Sequence, residues 1–486
     1  MANAITLNQQ TGQDNFMSRR ALPCLGVFAA IYLVSIAFGY HINAIVLAIV
    51  LMVMLCLLKI PVAIALISSA LLGALHSGLS MSEAVDTFND NLLMGAQVGV
   101  TYIMIGAFAV AIARSGLVDL LAYKIASQLD LNVGATNKGV KWIMLLALVA
   151  ASIMSQNLVP VHIAFIPILI PPLLGVMNKL RMDRRGIACI LACSMSASYL
   201  LLPTGFGAIY LNEILLANVN SVGQAYGMSA TPGMVLKAMA LPVMGILLGM
   251  LVAVFYTYRK PRRYQEAPST TLQTEKPLRP LNFKQIIFTV AALVVALICQ
   301  LQFDSLLIGA MIGFMILSVA GIFRWSDQDD VFTEGLRMMA QIAVIITFAS
   351  GFSGILNATN EIAPLVSATA DFIGDNMVLG AALMLVVGLF ITIGFGDSFA
   401  SVPILAPIYV PLAITLGFSP VATIALLGAA AALGDAGSPA STITLGATAG
   451  LNADGQHDHI SDSVIPTFIH ANFGMLIFAW IAALML

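Results

Sequence analysis

Along this chain, long apolar runs follow one another with only short polar interruptions, among them Leu22 to Phe38, Ile60 to Leu75, Met239 to Phe255, Ile286 to Leu301 and Ile465 to Leu486. Each approaches or reaches the roughly 20 residues that a helix needs to cross a bilayer. The pattern also repeats. Two apolar stretches about 240 residues apart carry the same punctuation of glycine, proline and small polar residues. Ala96-Gln97-Val98 matches Ala340-Gln341-Ile342, and the same offset sets Phe108 beside Phe352 and Ile112 beside Leu356. Two hairpin-like segments follow: Ser155-Gln156-Asn157-Leu158-Val159-Pro160 ahead of Pro167 and Pro171, and Gly396-Asp397-Ser398-Phe399-Ala400-Ser401-Val402-Pro403 ahead of Pro407 and Pro411. Beyond each, a further apolar helix breaks, at Leu202-Pro203-Thr204-Gly205 and at Gly434-Asp435-Ala436-Gly437-Ser438-Pro439. Interrupted hydrophobic segments in corresponding positions of two halves point to a midplane binding site in a secondary transporter.

The composition, 60% hydrophobic and 9% charged over 486 residues, excludes a soluble domain, where about a quarter of residues are charged. It leaves an all-α polytopic membrane protein and no basis for nucleic-acid binding. Cytoplasmic loops carry the excess of lysine and arginine, so the basic residues give the orientation. Arg259, Lys260, Arg262, Arg263, Lys276, Arg279 and Lys284 fall in a polar connector, and Lys179, Arg181, Arg184 and Arg185 follow the first hairpin, which Lys138 and Lys141 precede. Both ends of that hairpin, about residues 139–178, are therefore cytoplasmic, and the segment is re-entrant. The second hairpin, about 378–417, has no basic residue at either end and opens to the outer side. Oppositely oriented hairpins mean inverted repeats, with an odd number of crossings in each. About 11 crossings result, one extra and five in each repeat. The expected organisation is a cytoplasmic tail (1–20), a first transmembrane half (21–257), a cytoplasmic connector (258–284) and a second transmembrane half (285–486). The N-terminus is expected in the cytoplasm of a bacterial-type inner membrane and the C-terminus outside. Leu117 to Leu129 and Ile362 to Phe372 are short amphipathic stretches suited to lie along the interface.

Non-helical backbone at membrane depth persists only where it is buried or lines a polar cavity, so the tips and breaks must meet something polar. Half-helix N-termini favour anions and C-terminal carbonyls favour cations. Sodium, a hard cation, suits the oxygens of Ser155, Asn157, Thr204, Ser398, Ser401, Ser438, Ser441 and Thr442. Asp397 at the second tip and Asp435 at the second break stand out. A charge at the bilayer centre costs on the order of 3 kcal/mol, so each aspartate needs a bound cation or a proton; the alternative for either is a cap at the membrane surface. Aligning the tips on their Val-Pro steps sets Ser155 opposite Ser398 and Asn157 opposite Ala400, so only the second tip carries a carboxylate. One strong and one weaker cation site are expected. Ser155, Asn157, Asp397, Ser398 and Asp435 are the candidate cation-binding and coupling residues, and His162, Thr204, Ser401, Ser438, Ser441 and Thr442 the candidate substrate residues. His162 reads either as a proton carrier or as a neutral hydrogen-bonding residue. His457 and His459, near Asp454, Asp458 and Asp462, read as a solvated cytoplasmic loop rather than a metal site. Arg114 and Glu213 read as snorkelling charges near helix ends. Cys24, Cys56, Cys189, Cys193 and Cys299 read as packing residues. No lysine or arginine lies at a tip or break, which favours a small cation or a zwitterion as cargo; an anion carried with sodium stays open, because helix N-termini alone can hold a carboxylate. No cofactor beyond sodium as coupling ion is implied. A channel would need a selectivity loop, and an enzyme a nucleophile and base at catalytic spacing; neither is present in the sequence.

From about Asn91 to Gly450 the chain resembles the ion transporter superfamily, and Ser155 to Pro160 with Gly434 to Pro439 look most like its NhaC-like Na+/H+ antiporter branch, which also contains proposed amino-acid permeases, histidine among their suggested substrates. The resemblance implies a homodimer with a static scaffold and a mobile unit, built from the hairpins and broken helices, that moves as an elevator. It implies Na+/H+ antiport, or alternatively sodium-coupled symport of a small amino acid. The chain departs from the dicarboxylate symporters, which carry Ser-Asn-Thr at both tips, by reading Ser155-Gln156-Asn157 and Ser398-Phe399-Ala400.

Overall fold

The computed structural model describes residues 23–35, 37–117, 120, 138–157, 166–167, 169–265, 283–303, 305–374 and 376–486. Among these, every regular element is a helix, the form in which an apolar chain satisfies its own backbone without water. Among the described residues eight helices are long and apolar enough to cross a membrane, and Arg184–Leu201 with Phe206–Tyr226 makes a further span bent by 57°. Shorter apolar helices, including Ala44–Leu57 and Val62–His76, pack among them. The elements that position the site are α1 (Leu92–Arg114), α2 (Lys138–Asn157), α3 (Arg184–Leu201), α4 (Phe283–Phe303), α5 (Leu306–Val319), α6 (Gln328–Ala358), α7 (Met377–Phe395), α8 (Ser398–Thr415), α9 (Pro420–Ala432), α10 (Thr442–Leu451) and α11 (Phe473–Met485).

The helices that the sequence repeat pairs, α1 and α6, cross in the structure. Gly95 lies against Ile346 and Ser350, Gly99 against Ala343, and Gly106 against Gly335 and Met339. Rising numbers on one helix meet falling numbers on the other, so equivalent helices run antiparallel and the repeats are inverted. Glycines bring the backbones together, as small residues do where apolar helices pack in lipid: a Cβ on Gly106 would stand 2.5 Å from the Gly335 carbonyl.

The second hairpin is α7 and α8, joined at Gly396-Asp397. The Trp480 indole donates to the Val378 carbonyl at 2.9 Å, and the Ser419 hydroxyl donates to the Leu486 carbonyl at 2.9 Å. Both feet of the hairpin thus lie beside the end of α11, and the segment enters and leaves on one face. Its arms of 19 and 18 residues are each about 27 Å long or slightly more, longer than a shallow dip requires. In the first hairpin α2 climbs to Asn157, and the chain returns through Pro171–Leu173 and Leu174–Lys179. Residues 158–165, His162 included, lie outside the described residues, as does most of the amphipathic stretch Leu117 to Leu129. The other such stretch is the helix Ile362–Ile373.

At the opposite face the structure corrects the reading of a solvated loop. Arg184 is fully buried and holds Asp454 in a two-point pair at 2.6 and 2.5 Å, donating also to the Leu451 carbonyl at 2.9 Å. Arg262 bonds Asp462 at 2.9 Å, and the Arg184 guanidinium lies 4.2 Å from the Tyr264 ring centre. His457, 2% exposed, pairs with the Ser463 hydroxyl at 2.8 Å. A buried arginine is tolerated when a carboxylate and carbonyls take its protons, and these partners come from the other half of the chain. Arg114 ends its helix and stays half exposed, as a snorkelling charge does, and pairs there with Glu334 at 2.5 Å, whereas Glu213 lies inside the helical segment Ile209–Leu216 rather than at a helix end.

Gly335→Val is expected to lower the melting temperature and monodispersity of the purified protein, since overpacking costs about 1–3 kcal/mol. Gly233→Ala, where nothing lies within 4 Å, is expected to leave both unchanged. Burial pushes the His457 imidazole down to about 4 from 6.5, so between these values the unfolded chain binds the extra proton. Stability is therefore expected to fall as pH drops from 6.5 to 4. Melting curves across that range are expected to show a shallower slope in His457→Gln.

Candidate ion and substrate site

Proline and glycine open the second break between α9 and α10. Ala431 through Ser438 are buried although the backbone there is not helical beyond Ala432, so its polar groups must find partners inside the protein. Ser438 donates to the Ile393 carbonyl at 2.9 Å and accepts from the Ala440 amide at 3.1 Å, while Thr444 donates to the Ser438 carbonyl at 2.7 Å. Ser441 caps α10, accepting from the Ile443 amide at 3.1 Å, and Thr442 begins that helix. The tip of the second hairpin rests on this break. Gly396 ends α7 in the left-handed region at φ +63°, and a Cβ there would stand 2.7 Å from the Ser441 nitrogen. Only glycine meets both demands at no steric cost. Asp397 is half-buried and caps α8, accepting from the Ala400 amide at 2.9 Å, and its carbonyl accepts from the Ser401 hydroxyl at 2.5 Å. It caps a helix at the hairpin tip, not at the membrane surface.

Asp435 is where these pieces meet. Its Oδ2 accepts from the Tyr199 hydroxyl at 2.6 Å and the Ser398 hydroxyl at 2.9 Å, and its Oδ1 from the Ser441 hydroxyl at 3.1 Å. The Tyr199 and Ser398 oxygens are themselves 2.9 Å apart. Asp435 is 5% exposed, Tyr199 1%, and both serines 0%. Among the described residues these partners of the carboxylate are all hydroxyls. Tyr199 stands in the last turn of α3, just before the first break, so one carboxylate ties the second tip to both breaks. The Phe399 ring, next in the tip, lies 5.4 Å from Tyr102, 5.5 Å from Tyr199 and 5.3 Å from Tyr210. It docks the tip into an aromatic pocket, where the dicarboxylate symporters carry an amide.

The first break forms a separate, uncharged cluster. Thr204 donates to Asn157 Oδ1 at 3.5 Å, and Asn157 Nδ2 to the Ile153 carbonyl at 3.2 Å. Gly205, at φ +57°, presses on the end of α2, where a Cβ would stand 2.6 Å from the Gln156 and Asn157 carbonyls. Its amide donates to Gln300 Oε1 on α4 at 3.1 Å. Ser155 directs its proton to the Ser152 carbonyl at 2.8 Å, within its own helix. The structure thus brings Asp435, Ser398 and Ser441 into one site, with Ser438, Asp397 and Ser401 around it and Thr442 adjacent in the chain, and sets Asn157 and Thr204 in another.

Tyr199, Phe399 and Gln300 are the site residues that the sequence reading missed. One signal was available for the first: aligning the breaks on Pro203 and Pro439 sets Tyr199 opposite Asp435.

Residues 192–482, more than half of the chain, match the family model described as "Na+/H+ antiporter family", and residues 43–129 match one described as "Na+-H+ antiporter family". The chain belongs to the Na+/H+ antiporter family. It is a multi-pass membrane transporter and not an enzyme. It is 47% identical to an uncharacterized membrane protein of Vibrio parahaemolyticus, over 91% of this chain and 100% of that protein. It is 44% identical to the putative amino acid transporter YuiF of Bacillus subtilis, again over 91% and 100%. Among solved structures it shares the fold of Neisseria gonorrhoeae MtrF, described with a class of antimetabolite efflux pumps, at TM-score 0.57 and 16% identity over 84% of each chain. Alcanivorax borkumensis YdaH matches at TM-score 0.54 and 16% identity, over 82% of this chain and 86% of that one.

Tyr199→Phe removes one of the hydroxyl oxygens that surround Asp435; losing one polar contact to a charged group costs about 1.5–3 kcal/mol, so the variant is expected to raise the half-saturating concentration of the coupling ion roughly 10-fold or more. Ion-dependence curves of transport in proteoliposomes measure it. A wild-type curve would remove Tyr199 from the ion site.

Proposed function

We propose that this protein is a secondary active transporter of the inner membrane in which Asp435 alternates between a sodium ion and a proton, so that the gradient of one drives the other. The observation that carries this reading is a buried carboxylate, surrounded by hydroxyls, at the point where a hairpin tip meets two broken helices. Ionisable groups at such depth mark ion pathways and proton relays. Hydroxyls carry both a proton and lone pairs. With no cation bound, Tyr199, Ser398 and Ser441 donate to the carboxylate. When a hard cation enters, the same hydroxyls can turn their oxygens to it, and Asp435 supplies the negative charge. When the cation leaves, a proton on Asp435 cancels the charge and donates to one of those oxygens. Ser438, Asp397 and Ser401 shape the surrounding turn, while Ser155 and Asn157 belong to a weaker, neutral site. His162 and Thr442 complete the set proposed for the substrate.

Alternation is proposed to occur as an elevator, the hairpins and breaks moving against α1, α4, α5 and α6, in a homodimer. The basic face is assigned to the cytoplasm with the N-terminus, and Leu486 to the outside, by the distribution of lysine and arginine.

A second reading, sodium-coupled transport of a small amino acid, is favoured by the description of the 44%-identical YuiF and by the uncharged polar cluster of Asn157 and Thr204 apart from Asp435. The deciding experiment is sodium-gradient-driven transport by purified protein in proteoliposomes, with internal pH and a panel of radiolabelled amino acids, histidine included, followed in parallel. Proton movement on sodium addition without any amino acid, lost to background in Asp435→Asn, is the expected result. Sodium-dependent uptake of one amino acid without proton exchange would replace antiport by symport.

A further inference from the structure

Between the second break and the basic face, polar side chains form one connected network. His459 Nε2 meets the Pro439 carbonyl at 3.0 Å, and its Nδ1 meets the Thr448 hydroxyl at 2.8 Å. Thr448 also lies 2.8 Å from the Thr444 carbonyl and 2.8 Å from the Ser463 hydroxyl, which in turn lies 2.8 Å from His457 Nε2. The positions of the protons follow from these contacts. A carbonyl only accepts, and a hydroxyl has one proton and two lone pairs. Thr448 therefore donates to Thr444 and accepts from both of its other neighbours. Ser463 gives its proton to Thr448, so its bond to His457 is donated by the Nε2–H. That leaves His457 neutral with a bare Nδ1, and this atom is indeed buried and without a partner. His459 then donates from Nδ1 to Thr448 and from Nε2 to Pro439. A ring that donates from both nitrogens is an imidazolium.

Pro439 belongs to the turn Ser438 to Ser441 on which Gly396 rests, and Ser441 bonds Asp435. His459 thus holds, from the basic face, the turn that shapes the ion site. A neutral ring either releases Pro439 or keeps it by a neutral hydrogen bond, roughly half as strong as a charged one. Asp458, in the same segment, feels the charge of His459, while Asp462 is bonded to Arg262. Packed against the segment His459–Val464 are α10 and Ile465–Thr467, which carry no titratable side chain, and α3, whose Arg184 and Arg185 are bonded to Asp454 and Asp183. The break itself carries Asp435.

We propose that His459 is an imidazolium clamp on the second break, a positioning residue through which the charge of one ring ties the geometry around Asp435 to the pH of the basic face. The proposal rests on the reading of Asp435 as the ion site and adds the residue that positions it. Imidazole is the side chain that changes charge within the physiological range. His459 is half-buried, so water at that face can supply and take its proton.

The test labels the histidines of the purified full-length protein with nitrogen-15, and His459→Gln or Thr448→Val assigns the signal of His459. Ring nitrogens with widely separated shifts mark a neutral ring, and nearly equal shifts an imidazolium. Half-saturation by sodium is read from thermal shifts between about pH 5.5 and about pH 8.5. Competition between sodium and protons at Asp435 acts on wild type and variant alike, so their ratio isolates the clamp. The expected result is an imidazolium at the acid end that becomes neutral at the alkaline end. His459→Gln is expected to need roughly threefold more sodium than wild type at the acid end, the worth of about one hydrogen bond, with the ratio closing toward one at the alkaline end. Thr448→Val, which removes the acceptor and leaves the ring, is expected to shift the titration, and the loss of sodium affinity with it, to lower pH. A neutral His459 at the acid end would overturn the clamp. A ring that titrates while the ratio stays constant would overturn its tie to the ion site. If wild type shows no response to sodium, the Asp435 reading falls and the positioning role with it, while the nitrogen shifts still decide whether the clamp exists.

Discussion

A carboxylate buried among hydroxyls holds the interrupted parts of this chain in register. Broken helices leave amides and carbonyls without partners, and hydrocarbon supplies none. Here the broken ends find one another. The second tip presses Gly396 onto the Ser438 to Ser441 turn, the first break presses Gly205 onto the end of α2, and Asp435 gathers hydroxyls from Tyr199, Ser398 and Ser441. Any change in the charge of that carboxylate is therefore felt at the tip and at both breaks together.

The same geometry pins α3 to α10 at both ends. Tyr199, near the end of α3, meets Asp435 and its neighbour Ser398, next to the start of α10, while Arg184, at the start of α3, holds Leu451 and Asp454 just past the end of α10. Two helices that are adjacent and antiparallel are thus clamped by a hydroxyl–carboxylate contact at depth and by an arginine–carboxylate pair at the basic face. Such a unit moves as one body more readily than it deforms, because a rearrangement at one end would strand a buried polar group at the other.

Pseudo-symmetry makes the difference between the halves informative. Where the second half carries Asp435 at its break, the first carries Tyr199 just before its own, and the two equivalent positions bond to each other across the repeat interface. The first tip offers Asn157 and lies beside Gln300; the second offers Asp397 and Ser398 and lies beside aromatic rings. One half is built for charge and the other for a neutral, directional hydrogen bond.

Much of this was legible in the residues themselves. Apolar runs of crossing length compel helices in lipid, the repeat of Gly, Pro and small polar residues marked the hairpins and breaks, and the asymmetric placement of lysine and arginine showed that the repeats are inverted, which the antiparallel crossing of α1 and α6 bears out. Asp435, Ser398 and Ser441 were singled out as charge and oxygen in the wrong solvent. What the sequence could not display is which of these groups touch, since contact between residues 199, 398 and 435 is set by how three helices pack and not by any local period. Tyr199 and Gln300 look like ordinary helix residues until packing removes their alternatives, and Arg184, Asp454 and His457 look like loop charges until the fold buries them against each other. The chain by itself determined the helices, their interruptions and the inversion of the repeats, because those follow from local hydrophobicity and charge. Only the tertiary structure decided the partners of each buried polar group, because in a medium without water that choice depends on what the rest of the protein brings within reach.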